Sequence, residues 1–306
     1  MAYIDLTYSD GGSRRFVKED LGERPLFVDE VDASKRFRLI RAVLGGGNGV
    51  VFAAQQLDAR ERPFQTVAVK ILRQLDEGPR DRFANERRVL AALNHRSITT
   101  FHGSGIHRAQ AAGMDVPWIA MHLCGPNLRQ HLQERGPIGP GLLRHVGIQI
   151  CDAVQYVHER DLIHRDLKPA NVVWADESSA SGVVKLIDFG LAKNTGEDMS
   201  GRPLDDFTKT PDFVGPVFFS SPELIAYAEN KKHPVDHLSD LFQLGKVLWF
   251  LATGRILAGI PAVRHDPTGG VLHGLVSALI ADDPADRPDS ANVVRAQLQT
   301  WEAGRA

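Results

Sequence analysis

The chain has 306 residues, of which 43% are hydrophobic and 24% charged, and a formal net charge of −2. That length supplies core for one large domain or for two lobes sharing a cleft. Near-neutrality excludes the basic footprint expected of a nucleic-acid binder or of a protein held on an anionic membrane. The two cysteines, Cys124 and Cys151, lie far apart in sequence. They exclude a disulfide framework and predict two buried free thiols in a reducing, cytoplasmic compartment. The longest apolar patch, Val247 to Ala252, is far short of a membrane span. Residues 1–10 are polar and acidic and do not read as a signal peptide. No internal repeat or low-complexity tract is present, and no membrane anchor is expected after the last predicted helix.

Residues 1–35 precede the first element to which a role can be given. Tyr3–Tyr8 alternates in polarity and Arg14–Lys18 is able to pair with it across Asp10-Gly11-Gly12. A small hairpin and a disordered leader are both compatible with this stretch. Arg36 to Phe52 predicts two strands around a glycine cluster, Leu44-Gly45-Gly46-Gly47-Asn48-Gly49-Val50-Val51-Phe52. Without Cβ obstruction, backbone N–H groups there can approach phosphates. Thr66–Leu72 is a β-branched strand containing Lys70. Phe83, Glu86, Leu90 and Leu93 then recur on one face of a helix. Glu86 therefore falls on the apolar face, where an unpaired carboxylate is costly, and Lys70 is its predicted partner.

Pro117–Met121 predicts the next strand, and Leu142, Val146, Ile150, Val154 and Val157 mark a long amphipathic helix. That helix feeds Ile163-His164-Arg165-Asp166-Leu167-Lys168-Pro169-Ala170-Asn171, which is flanked by short strands at 172–174 and 183–187 and followed by Asp188-Phe189-Gly190. Phosphoryl transfer from a nucleotide requires this set of groups. Asp166 can accept the proton of an attacking hydroxyl, Lys168 can neutralise charge on the moving group, and Asn171 with Asp188 can hold magnesium. Ser239–Trp249 is apolar almost all round, as a buried helix is, and a final helix is expected over about Ser290 to Glu302.

The two catalytic stretches resemble the catalytic loop and the Asp-Phe-Gly of protein kinases. On them the chain is identified as a member of the eukaryotic-like (Hanks-type) serine/threonine protein kinase family. The resemblance covers about residues 36–304 and implies an α+β, two-lobed fold. A small antiparallel β-rich N-lobe with one key helix (36–121) is expected to lead through a hinge (122–125) to a larger, mainly helical C-lobe (126–304). It implies ATP and magnesium as cofactors and a protein substrate. Catalytic roles fall to Asp166, Lys168 and Asn171, and the metal to Asn171 and Asp188. The nucleotide falls to Leu44, Gly45, Gly46, Gly47, Asn48, Gly49, Val51, Ala68, Lys70, Glu86, Met121, Leu123 and Val173. Within that set Lys70 pairs with Glu86 and holds phosphates, Met121 guards the adenine pocket, Leu123 offers backbone groups to adenine, and Val51, Ala68 and Val173 sandwich it. Departures from the family pattern are Leu44 in place of the first loop glycine, His122 where an acidic residue is usual, and an early Gly125.

By the same resemblance, residues 188–223 form an activation segment containing Thr195, Ser200, Thr208 and Thr210 and closing at Gly215–Glu223. Glu223 is expected to pair with Arg287, and Asp240 to hold the backbone at His164 and Arg165. Arg165 precedes Asp166 and is expected to meet a phosphorylated residue of the segment, with Thr208 and Thr210 as candidates. The stretch 255–270 stands where a solvent-facing helix is usual and reads as abbreviated. Lys168 favours serine/threonine acceptors, whereas Pro216-Val217 forms the groove wall found in tyrosine kinases; the expectation is serine/threonine specificity, with dual or tyrosine specificity as the alternative. A pseudokinase scaffold predicts loss of Lys70, Asp166, Asn171 or Asp188, and none is lost. Small-molecule kinases of related fold lack the Ser221-Pro222-Glu223 closure and the distant Arg287.

Overall fold

The structure is a computed structural model. It describes residues 3–7, 13–17, 25–46, 49–72, 77–109, 114–179, 181–194, 218–229 and 234–301. The chain divides into two compact units, one of Met1–Asn94 with Thr99–Leu123 and the other of His95–Ile98 with Cys124–Ala306.

The first unit is built on an antiparallel six-stranded sheet of order β3-β4-β5-β6-β8-β7. Its strands are β3 (Leu26–Val28), β4 (Arg36–Gly46), β5 (Gly49–Leu57), β6 (Pro63–Leu72), β7 (Phe101–Ala109) and β8 (Met114–His122). Side chains alternate across a strand, so β6 sends Val67, Val69 and Ile71 into one core and Ala68 and Leu72 into another. The first core gathers Phe27, Phe37, Phe52 and Trp118. The second includes Phe83 from helix α1 (Glu77–Ala92) together with Ile119 and Met121. Phe27 is fully buried edge-on to Trp118, so Leu26–Val28, inside the stretch left without a role, completes the sheet. Asp29 fixes the turn after it by accepting bonds from the N–H groups of Val31, Asp32 and Ser104. A separate antiparallel hairpin joins β1 (Tyr3–Thr7) to β2 (Ser13–Val17).

The second unit is mainly helical. Its helices are α2 (Leu128–Arg135), α3 (Pro140–His158), α4 (Pro222–Glu229), α5 (Leu238–Thr253), α6 (Val271–Leu279) and α7 (Ala291–Thr300). Helix α2 starts on a capping box in which Asn127 and Gln130 satisfy each other's backbone N–H. Helix α3 starts on Pro140, whose missing N–H is no loss in a first turn. Its buried stripe runs through Leu143, Val146, Ile150, Val154 and Val157. Leu142, included in the predicted stripe, is exposed, because one residue is about 100° of helix turn and places it beside that stripe. Helix α5 is buried over nearly its whole length and stops at Gly254, whose φ of 68° is the left-handed cap. The final helix, predicted to begin near Ser290, is capped by that residue's side chain on the N–H of Val293. Between 255 and 270 a single 3-10 turn, Val263–His265, stands where a helix is usual. Among the described residues no helix is long and apolar enough to cross a membrane.

Candidate active site

In the second unit, β9 (Leu162–Ile163) pairs with β12 (Lys193–Asn194), and β10 (Val172–Trp174) with β11 (Val184–Leu186). These short ladders frame the loop His164–Lys168 and the 3-10 turn Pro169–Asn171. Arg165 has φ of 66° and Asp188 φ of 65°. Non-glycine residues persist in that region only where their surroundings over-determine them. Around Arg165 the surroundings are side chains from distant helices. Asp240 of α5 is fully buried; its Oδ1 accepts the Arg165 N–H at 2.8 Å and its Oδ2 the His164 N–H at 2.9 Å. Gln243, one turn further along the same face, accepts from the Leu167 N–H at 2.9 Å and donates to the Arg165 carbonyl at 3.0 Å. His158, at the end of α3, donates through Nε2 to Asp240 Oδ2 at 2.8 Å. Burial works against ionisation of Asp240, but the His158 contact and the His164 N–H outweigh it and hold the carboxyl below its ordinary value.

The loop so fixed gathers the reactive groups. Lys168 Nζ donates to both oxygens of Asp166, at 2.9 and 2.7 Å. The Asn171 amide donates to the Asp166 carbonyl and to its Oδ2, both at 2.8 Å. Burial pushes the Asp166 carboxyl up; the Lys168 ammonium opposes that rise and the Asp188 carboxylate adds to it. Spending the side-chain NH2 of Asn171 on Asp166 leaves its side-chain Oδ1 without a hydrogen bond among the described residues. The Ile187 N–H binds the backbone carbonyl of Asn171 at 3.0 Å and so ties the approach to Asp188 to the same turn. A carboxamide oxygen and a carboxylate are hard donors that suit magnesium, which keeps several waters and takes few protein ligands. No group of three or more His, Cys, Asp or Glu gathers among the described residues. The His164 ring packs on Phe189 with centroids 4.7 Å apart.

In the first unit Lys70 Nζ lies 2.8 and 2.6 Å from the two Glu86 oxygens. Register places Val51 opposite Lys70 and Ala68 opposite Met121. Val51, Ala68, Met121 and Leu123 fall in one cluster with Leu72, Phe83 and Ile119. Val173 belongs to the second unit, buried in β10. Leu44, Gly45 and Gly46 pair with Val51, Val50 and Gly49 across the β4–β5 ladder. A Cβ on Gly49 would sit 3.0 Å from the Ile71 carbonyl, a tight contact that glycine avoids. Gly47 and Asn48 lie outside the described residues, as do Thr195, Ser200, Thr208, Thr210 and Gly215–Val217. Gly125 has a local cause: its N–H binds the Trp174 carbonyl at 2.9 Å, and a Cβ would come within 2.1 Å of the Asp176 carbonyl oxygen.

The closing ion pair is formed as expected. Arg287 donates to Glu223 Oε1 at 2.7 Å and Oε2 at 3.0 Å, and the Ser239 hydroxyl adds a third bond at 2.6 Å. Burial raises the Glu223 carboxyl, but these bonds outweigh it and hold it below its ordinary value. Reasoning from sequence missed His158 and Gln243. Their available signals were a polar residue ending an apolar helical stripe and a polar residue one turn from Asp240 inside a buried helix.

Known proteins resemble the chain along most of its length. The family described as "Protein kinase domain" matches residues 38–266. A probable serine/threonine-protein kinase of Corynebacterium efficiens is 35% identical over 290 residues, covering 86% of this chain and 41% of that protein. The serine/threonine-protein kinase PknB of Mycobacterium tuberculosis is 31% identical, covering 87% of this chain and 42% of that one. The crystal structure of the Mycobacterium tuberculosis PknI kinase domain superposes with a TM-score of 0.63 at 26% identity, over 86% of this chain and 95% of that one. The chain thus spans about two fifths of the length of the curated relatives it matches.

Proposed function

Because the chain belongs to the protein kinase domain family, we propose that it transfers the γ-phosphoryl group of ATP to serine and threonine hydroxyls of protein substrates, itself included. The observation that carries this reading is the Asp166 carboxylate held by Lys168 and Asn171 on a loop pinned by Asp240 and Gln243. A new bond forms between the acceptor oxygen and the γ-phosphorus as the bond from that phosphorus to the β,γ-bridging oxygen breaks, and ADP leaves. The acceptor proton passes to Asp166, whose raised carboxyl suits a base. Lys168, already 2.7 Å from Asp166, turns part of its charge to the phosphoryl oxygens. Lys70 holds the α- and β-phosphates, and Glu86 fixes its ammonium. Asn171 and Asp188 supply the oxygens for magnesium, which when bound neutralises charge on the phosphates. Most of the acceleration comes from positioning and charge compensation.

The test is incubation with magnesium, ATP labelled at the γ position and a generic protein acceptor, followed by phosphoamino-acid analysis. Phosphoserine and phosphothreonine are expected, and Asp166→Ala lowers the rate by about 10²- to 10⁴-fold, the usual contribution of a positioned base, while ATP binding persists. Near-normal transfer by Asp166→Ala removes that residue from the role. Predominant phosphotyrosine replaces the serine/threonine assignment with the reading favoured by Pro216-Val217.

A further inference from the structure

Lys246 is out of place in helix α5. Between residues 239 and 252 every side chain is buried except Lys246 and Phe250, which stand one turn apart on the same face. Both meet the end of the closing segment. Lys246 Nζ donates to the Phe218 carbonyl at 2.7 Å, and the Phe250 ring meets Phe219 edge-on with centroids 5.9 Å apart. The ammonium also lies 5.1 Å from the centre of the Phe242 ring, a cation–π distance. Among the described residues Lys246 makes this one hydrogen bond and no ion pair, although an ammonium carries three donors.

A half-buried ammonium without a carboxylate is expensive. Burial alone shifts Lys246, and it lowers the pKa. Filling this position structurally requires only an aliphatic side chain, and a carbonyl is equally satisfied by water. What lysine adds is a positive charge beside the Phe242 ring, on the helix face where Phe250 meets Phe219. Lys246 stands one turn beyond Gln243 on the same helix, and the Gln243 side chain holds the Leu167 N–H next to Asp166. Resting on the protein-kinase reading above, we propose that Lys246 is a specificity-determining residue that binds a carboxylate side chain of the protein substrate close to the phosphorylated hydroxyl. The remaining ammonium hydrogens take the carboxylate, the Phe218 carbonyl fixes the ammonium, and the aromatic rings exclude water from the pair. The charge acts on the binding of the peptide and touches none of the reacting atoms.

The experiment compares peptide pairs that carry Glu or Gln at each position flanking the acceptor. The readout is the ratio of kcat/KM for the Glu peptide over its Gln twin within one protein, so a general change in activity cancels. For the unsubstituted protein a ratio of roughly tenfold is expected at one or more positions, the value of one charge-assisted hydrogen bond. It is carried by KM and shrinks as salt is raised. Lys246→Met brings the ratio to about one and Lys246→Arg preserves it, with folding of each variant checked by thermal melting. A second reading needs no substitution in the tested protein: in chain labelled with ¹³C-lysine, the Lys246 side-chain resonance moves on addition of the Glu peptide and not of the Gln peptide. A ratio near one at every position in the unsubstituted protein overturns the proposal, as does a ratio that survives in a folded Lys246→Met or a Lys246 resonance blind to the Glu peptide. Phosphorylation of either peptide shows that the kinase reading stands whatever the ratio, whereas no phosphorylation of any peptide is a failure of that reading instead.

Discussion

Two buried ion pairs, one in each compact unit, are built from opposite choices of cation. Lys70 approaches Glu86 with a single nitrogen that reaches both carboxylate oxygens. Arg287 approaches Glu223 with two, and spends its other donor capacity on the carbonyls of Leu238, Ala281 and Asp282. About a fifth of the Lys70 side chain stays exposed (19%), against none of Arg287. A compact, partly exposed ammonium can exchange one anion for another, whereas a planar guanidinium locked to a carboxylate and three carbonyls cannot. The contrast fits the proposed division of work, in which Lys70 must turn to phosphates and Arg287 only has to stay.

The largest effect is expected from breaking the locked pair. Arg287→Met leaves a mostly buried carboxylate and three carbonyls without their donor. It should cost about 3–5 kcal/mol in urea unfolding at neutral pH, the range for one partner lost from a buried pair. Adding Glu223→Gln should recover little, since the carbonyls stay unsatisfied. Full recovery would mean that the charge alone mattered, and the contrast with Lys70 would fail. Lys70→Met is expected to slow phosphoryl transfer by about 10²- to 10³-fold, as for loss of one preorganised electrostatic donor. It also takes the ammonium away from the buried Glu86 carboxylate, so stability falls. Here the second substitution should separate the two losses: Lys70→Met with Glu86→Gln regains stability and none of the activity.

Proton linkage gives a finer test, because carboxylates of the second unit shift in opposite directions. Glu223 and Asp240 are held below their ordinary values. Their contribution to stability is therefore complete above the unfolded carboxylate pKa and is lost as pH falls through the depressed folded values. Asp166 is raised. Its ionised, basic form is lost as pH falls through a value above the ordinary carboxylate pKa, and its burial costs stability on the other side, as pH rises through the same window. Activity should consequently fail before the fold does on acidification. The acid limb of kcat/KM, about tenfold per pH unit, is expected to end above the pH at which unfolding begins. Coincident midpoints would show that loss of activity is only loss of structure.

What was legible in the sequence follows how far apart the partners lie. Asp166, Lys168 and Asn171 sit within six residues, so one loop had to gather them. Lys70 and Glu86 were connected by helical period and the cost of an unpaired carboxylate on an apolar face. Gln243 and His158 escaped because their service is to groups the sequence does not display. Gln243 binds a backbone N–H 76 residues away, and His158 binds Asp240 across 82. Three residues at 26–28 are too few for a strand period to show, although Phe27 is as buried as any residue of the sheet. Gly125 looked like a departure in the hinge because its cause, the Asp176 carbonyl beneath it, lies on another strand connection. The registers at Pro216 and at the threonines of the activation segment fall outside the described residues.

The smallest effect is expected where the same chemistry meets water. Arg36 and Arg38 reach Glu61 at 3.5 and 3.3 Å, with half of the Glu61 side chain exposed. Exposed pairs are worth about 0–1 kcal/mol, so Glu61→Gln should lower stability by less than about 1 kcal/mol, and less still in high salt. Glu61 also stands in the β5–β6 turn with φ of 58°, a conformation that costs a non-glycine residue about 1–2 kcal/mol. Glycine adopts it freely, although it also gives the unfolded chain more freedom to lose. Glu61→Gly therefore removes the same charge as Glu61→Gln and relieves strain that glutamine keeps, and it should be the more stable of the two by about 1 kcal/mol. The comparison is read as the difference in urea midpoint between the two variants at low and at high salt. Equal midpoints would mean that the strain relieved is no larger than the freedom glycine adds to the unfolded chain; a Glu61→Gln loss approaching that of Arg287→Met would show that charge, rather than its burial, sets the worth of the pairs in this protein.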